Sequence, residues 1–374
     1  MRGELLVYVG TYTEAILFGT GQVFQGKGEG IYIYVMDRAT GAMRLRKVVT
    51  GVKNPSYLAF APDGRHLYAV NELKSFEGKA SGSLSAFEVD PSDGDLRFLN
   101  SRPTGGTDPC HVEVDRRGEW VFVANFASGS VSVFPIESDG SLGTASDFVQ
   151  HQGSSVDPKR QAGPHAHSTV LDAANGLVFV PDLGMDRLMV YRFDAERGKL
   201  TPHDHPWVQT GPGAGPRHLD FHPTRPYAYL INELNSTIGA YEYDRSAGRF
   251  KEVHNVATLP KGFAEESSCA DIHIHPSGEY LYGSNRGHDS IVIYRIDQAT
   301  GRLSLVGHES TQGETPRNFA IDPSGDFLLA ANQKSDSIVV FHIDRKTGKL
   351  TSTGQIVRVP NPVCVKFNSA SAER

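Results

Sequence analysis

Apolar and polar residues alternate along most of this chain in short runs, the period of a half-buried β-strand, and pairs such as D-G, S-G and T-G separate the runs. The alternation itself repeats. NPSYLAFAPDGRHLYAVNE from Asn54, DPCHVEVDRRGEWVFVANF from Asp108, GPRHLDFHPTRPYAYLINE from Gly215, SCADIHIHPSGEYLYGSNR from Ser268 and TPRNFAIDPSGDFLLAANQ from Thr315 align without a gap. Each predicts a hairpin: an alternating strand, a tight turn, and a returning strand of β-branched and aromatic residues. A Pro slot is followed 16 positions later by Asn, as in Pro55/Asn71, Pro109/Asn125, Pro216/Asn232 and Pro316/Asn332, with Cys269/Asn285 as a variant. AHSTVLDAANGLVFVPDL is a sixth copy, with Ala166 and Asp182 in the two slots.

After each hairpin comes a third apolar run, such as SLSAFEVD, TIGAYEYD or SIVVFHID. A turn carrying Gly94, Gly140, Gly198, Gly248, Gly301 or Gly348 then leads to a fourth strand. Four strands in roughly every 50 residues, with almost no helical periodicity, predict the blades of a β-propeller. The N-terminal piece has a second strand (LLVYVGTY) and a third (GIYIYVMD) but no first, and the C-terminal NPVCVKF matches NPSYLAF. The expected fold is therefore all-β: a seven-bladed β-propeller, one domain over residues 1–374, its first blade closed by the C-terminal strand so that no sheet edge is left unpaired.

This geometry returns the residue after the Pro slot and the residue after the Asn slot to one face. The opposite face takes the short turns, and the length variation falls on the first face, at residues 14–29, 74–81, 143–163 and 255–267. Variable loops on a rigid scaffold are where binding resides. Residues beside the slots give a mouth lined by Glu72, His111, His165, His167, Arg217, His218, Glu233, Asp271, Arg286, Arg317, Asn318 and Gln333. Arginine recognises carboxylate or phosphate with paired hydrogen bonds, and His and Glu move protons near neutral pH, so an anionic small molecule is the expected ligand. The charged residues gather in the fourth to seventh copies, whereas a purely structural repeat would spread them evenly. The slot asparagines are expected to satisfy strand-end backbone groups. An Arg217–Glu233 ion pair without catalysis is the plain alternative to a site.

Composition narrows the classes. A net charge of −6 and no Lys/Arg cluster give no footprint for nucleic acid. Three widely spaced cysteines argue against a disulfide framework and fit a reducing compartment. No secretory leader and no apolar run of membrane-spanning length is read, so a cytoplasmic protein is expected and the sequon at Asn235 is incidental. Motifs for a serine hydrolase elbow, a zincin or a P-loop are absent. The H-x-H pairs at His165/His167, His203/His205 and His273/His275 lack a third convergent ligand, so no metal and no organic cofactor is expected.

YVGTYT, KGEGIYIY, the N-P-S-Y-L-A-F and G-P-R-H stretches and the N-E-L ending resemble the seven-bladed lactonase propellers, which include propeller-type 6-phosphogluconolactonases and the 3-carboxy-cis,cis-muconate lactonizing enzyme. The resemblance covers essentially the whole chain. It implies catalytic residues at His167, Arg217, Glu233 and Arg286, while the slot positions set His165, His218, Arg317, Asn318, His111 and Glu72 around the substrate. PHAH leaves His165 and His167 as rivals, two residues apart on one strand face. The activity implied is hydrolysis of a sugar lactone, 6-phosphogluconolactone foremost. A muconate-type cycloisomerase and a non-catalytic binding propeller, docking through exposed Phe18, Phe24 and Phe76, are the alternatives.

Overall fold

The computed structural model describes residues 3–368 of the chain. Its regular structure is entirely β: seven four-stranded sheets, each a blade, and one small hairpin of Ile16–Leu17 with Val23–Phe24. The chain divides into two compact units, one up to residue 213 together with the chain from 366, the other residues 214–365.

The first unit holds three whole sheets and the strands Glu4–Thr11, Gly30–Asp37 and Met43–Thr50 of a fourth. In that N-terminal sheet, the strand order is Pro362–Phe367, Glu4–Thr11, Gly30–Asp37, Met43–Thr50, so the C-terminal strand supplies the innermost position that the N-terminal copy lacks. The others begin with the inner hairpins Pro55–Phe60/His66–Asn71, Pro109–Val114/Trp120–Asn125 and Val170–Leu171/Leu177–Asp182. The second unit holds three, with inner hairpins Pro216–Phe221/Tyr227–Asn232, Ser268–Ile274/Tyr280–Arg286 and Pro316–Ile321/Phe327–Asn332.

The 16-residue slot spacing is hairpin register. Pro55 faces Asn71, Pro109 Asn125, Pro216 Asn232, Cys269 Asn285 and Pro316 Asn332, and an isolated bridge joins Ala166 to Asp182. Asn71, Asn285 and Asn332 donate to the carbonyls of Lys53, Thr258 and Thr311, as expected of strand-end partners, while Asn125 and Asn232 turn to Ser and Thr hydroxyls. Inner strands are buried and outer strands alternate with solvent, as in Met43–Thr50 and Leu350–Arg358.

The turn glycines all have φ between 61° and 83°, the left-handed region that glycine enters at low cost. Four of them also receive a buried tyrosine from the neighbouring blade: Tyr8 donates to the Gly94 carbonyl, Tyr68 to Gly140, Tyr229 to Gly301 and Tyr282 to Gly348.

Two expectations are corrected. Residues 143–163 are not all loop, because Asp147–Gln150 is the outer strand of its sheet, paired to Ser130–Pro135. Phe18, Phe24 and Phe76 are half-buried rather than exposed: Phe18 and Phe24 pack as tilted rings against each other and against Tyr12, at centroid distances of 5.6, 5.8 and 6.0 Å.

Candidate active site

In the fifth blade, Pro216 faces Asn232 but His218 faces Ile231, so Arg217 is the extra residue of a β-bulge. A bulge bends its strand and re-aims a side chain. The same shift follows the Pro slot at Ser56, Cys110 and Arg317. Glu233 is placed by its own backbone, whose N–H donates to the Gly215 carbonyl at 2.7 Å, and Gly215 sits at φ 64°, a conformation that favours glycine.

Arg217 and Glu233 meet as the spacing predicts. Arg217 Nε donates to Glu233 Oε2 at 3.0 Å, and Arg286 Nη2 approaches the same oxygen at 2.9 Å. Both members of the first pair are buried, with side chains 3% and 7% exposed. Arg217 Nη1 also donates to the Ala270 carbonyl, and Arg286 Nη2 to the Cys269 carbonyl at 2.7 Å. Arg286 Nε is buried without a hydrogen-bond partner. Burial pushes the Arg286 guanidinium down to about 10; Glu233 opposes that shift, while Arg217 and Arg317 add to it by repulsion. It stays cationic at neutral pH, in a place where an anion would be welcome.

Beside this cluster lies a second buried network. His218 Nδ1 is 2.7 Å from Asp271 Oδ1 and its Nε2 is 3.3 Å from Arg217 Nη1. His273 Nε2 reaches Asp271 Oδ2 at 3.0 Å, and Asn318 Nδ2 donates to that oxygen at 2.5 Å. Burial and then the Arg217 charge lower the His218 imidazole to about 4, against the pull of Asp271. Burial opposes ionisation of Asp271, but His273 and His218 outweigh it and hold the carboxyl well below its usual range.

The first unit gathers the other expected residues differently. His165 stacks on Phe126 at 4.7 Å between ring centroids and His167 meets the same ring edge-on at 5.3 Å. The backbone N–H of His165 donates to Asp182 at 2.8 Å, and its Nδ1 is 3.0 Å from the Phe126 carbonyl oxygen. His167 is buried, with its carbonyl 3.3 Å from Cys110 Sγ and its Nδ1 3.8 Å away. His111 packs on Tyr57 at 4.3 Å, and Glu72 accepts from the Tyr12 hydroxyl at 3.0 Å. A Cβ on Gly19 would lie 3.0 Å from Phe126, so the 14–29 segment packs against the ring that flanks both histidines.

The sequence-predicted residues of the second unit, Arg217, His218, Glu233, Arg286, Arg317 and Asn318, are thus joined by hydrogen bonds or by charge. In the first unit His165 and His167 share the Phe126 ring, while His111 and Glu72 are held by the separate partners Tyr57 and Tyr12. Asp271 was expected at the mouth without a role, and Phe126 and Cys110 are further members that the sequence-predicted set lacked. The slot rule itself points to both, as the residues after Asn125 and Pro109, but apolar types drew no attention. Of the H-x-H pairs, His273 is taken by Asp271, His275 Nε2 lies 2.8 Å from the Gly325 carbonyl oxygen, and the rings of His203 and His205 stand 6.1 Å apart. Among the described residues no three His, Cys, Asp or Glu side chains are gathered as a metal would require, and no helix is long and apolar enough to cross a membrane.

Comparison with known proteins gives the same direction over nearly the full length. The family model described as lactonase, 7-bladed beta-propeller matches residues 6–367. The chain is 37% identical to a 6-phosphogluconolactonase of Bacillus subtilis over 96% of this chain and 97% of that protein. It is 35% identical to a 6-phosphogluconolactonase of Formosa agariphila over 84% of this chain and 86% of that protein. Among solved structures it superposes on a periplasmic gluconolactonase of Pseudomonas aeruginosa with a TM-score of 0.89 and 35% identity, covering 97% and 99% of the two chains. With seven four-stranded blades, a slot register kept around the repeats and similarity of this extent, the chain belongs to the seven-bladed β-propeller lactonase family.

Proposed function

We infer that the protein hydrolyses 6-phosphogluconolactone to 6-phosphogluconate, and that Arg217, Glu233 and Arg286 carry the chemistry. The observation that supports this most is two guanidiniums converging on one oxygen of a buried carboxylate. Arg286 and Arg317 repel one another, and Arg286 keeps a buried N–H uncommitted; a phosphate bound between them relieves the repulsion and takes the N–H. Arg217 is held at Nε and Nη1 and stabilises the charge that develops on the lactone carbonyl oxygen. Glu233 takes a proton from the attacking water as its oxygen bonds to the carbonyl carbon. The tetrahedral oxyanion collapses, the ring C–O bond breaks, and the ring oxygen leaves with that proton. The carboxylic acid formed then ionises and releases one proton to solvent. The steps draw on these side chains and water, and no cofactor is invoked.

His167 is the rival general base and is tested by its own variant. Glu233→Gln is expected to lower kcat by about 100-fold or more. Activity surviving in both Glu233→Gln and His167→Ala overturns the assignment. Arg286→Lys should raise KM for the phosphorylated lactone by about tenfold, since a point charge replaces a planar fork, while leaving unphosphorylated gluconolactone nearly unaffected. Ring closure of a carboxymuconate, followed by its change in ultraviolet absorbance, would instead establish the cycloisomerase. A cytoplasmic location is proposed with this activity, supported by three buried cysteines too widely spaced in the sequence to form a disulfide framework.

A further inference from the structure

Asp271 has no exposed surface and accepts from every side. His218 Nδ1 and the Ile272 N–H reach Oδ1 at 2.7 and 3.0 Å; Asn318 Nδ2, His273 Nε2 and the Phe319 N–H reach Oδ2 at 2.5, 3.0 and 3.4 Å. Resting on the assignment of Arg217 to the reaction, we propose that Asp271 is a positioning residue: it fixes His218 as the Nδ1–H tautomer, whose bare Nε2 then seats the Arg217 guanidinium.

An ionised carboxylate only accepts, so the imidazole nitrogen facing it carries the hydrogen. A neutral imidazole has one N–H, which leaves Nε2 as a lone pair directed at Arg217 Nη1, 3.3 Å away. The other tautomer would set a lone pair against the carboxylate and an N–H against the guanidinium, two repulsive contacts in a buried place. A doubly protonated ring would repel Arg217 by charge. Asp271 also anchors Arg217 through the chain, because Nη1 donates to the carbonyl of Ala270, the preceding residue. A merely space-filling polar residue would serve as well as Asn. The tautomer lock needs an acceptor with no donor, since an Asn amide can turn its NH2 toward His218 and release the other tautomer.

The tautomer is read in the unmodified protein by long-range 15N–1H correlation on histidine-labelled material, with His218 assigned as the signal that vanishes in His218→Gln. The expected result at pH 7 is a protonated Nδ1 and a lone-pair shift at Nε2. Protonated Nε2, alone or with Nδ1, overturns the proposal; the variant serves only to assign the signal, and no activity is needed. The functional arm is a double-mutant cycle. Asp271→Asn should lower kcat about 10- to 100-fold with KM altered less than about threefold, the scale seen when an outer partner is lost or a group is misplaced. In the His218→Gln background, where the side-chain carbonyl offers Arg217 an acceptor without a tautomer, the same change should cost less than about threefold. Equal losses in both backgrounds mean that Asp271 acts as structure alone. Full activity in Arg217→Ala would remove the site assignment instead, and would leave the measured tautomer standing.

Discussion

At the scale of the residue, His218 lies between the Arg217 cation and the Asp271 anion, and its titration has a sign that can be worked out. Unfolded, the imidazole titrates near 6.5; folded, it is lowered to about 4 by burial and by Arg217. Between those values the unfolded chain binds a proton that the folded one refuses, so stability is full above pH 6.5 and falls as pH drops toward 4. Asp220, pushed up to about 6 by burial, works in the opposite sense, while Asp271 keeps its contribution until stronger acid. The contribution of His218 is therefore isolated by difference. From pH 6.5 to 4 the wild type should lose up to about 3 kcal/mol more than His218→Gln in urea unfolding. Parallel slopes would contradict it. Arg217 and Glu233 were legible in the sequence because a slot rule needs only spacing. The role of Asp271 was not, because its partners His218 and Asn318 lie 53 and 47 residues away, and only the packing of neighbouring strands brings them together.

At the scale of the element, hairpin register was legible because each Pro slot and Asn slot face each other across the ladder. The bulge after the Pro slot was not: it adds one residue to one strand without disturbing the alternation on either side, yet it decides where Arg217 and Arg317 point. The turn glycines were visible as punctuation, but the tyrosines that reach four of their carbonyls sit inside apolar runs that look like any other inner strand. Tyr229 donates to Gly301 at 3.0 Å from a fully buried position. Tyr229→Phe leaves that carbonyl short of its partner and should destabilise by about 1 kcal/mol, measured as a lower urea midpoint at unchanged m-value. An unchanged midpoint would mean that water replaces the hydroxyl.

At the scale of the whole molecule, the sequence carries seven repeats and a surplus C-terminal strand, and the first sheet uses that strand as its innermost member. The same strand crosses the division of the chain, its residues to Val365 counted with one unit and from Lys366 with the other. Residues 1–374 are proposed to fold as one domain, so calorimetry should give a single transition with matching calorimetric and van't Hoff enthalpies. Two resolved transitions would refute it. What repetition cannot encode is the departure from it, and the candidate site is such a departure: Arg217 stands where other blades carry Ser56 and Cys110, and Glu233 and Arg286 where others carry Phe126 and Gln333. Catalysis on an anionic lactone is read from proton release on adding fresh 6-phosphogluconolactone to the purified protein. One proton per lactone is expected, released well above the spontaneous rate and faster than from gluconolactone at equal concentration. Release at the spontaneous rate from both lactones would contradict it.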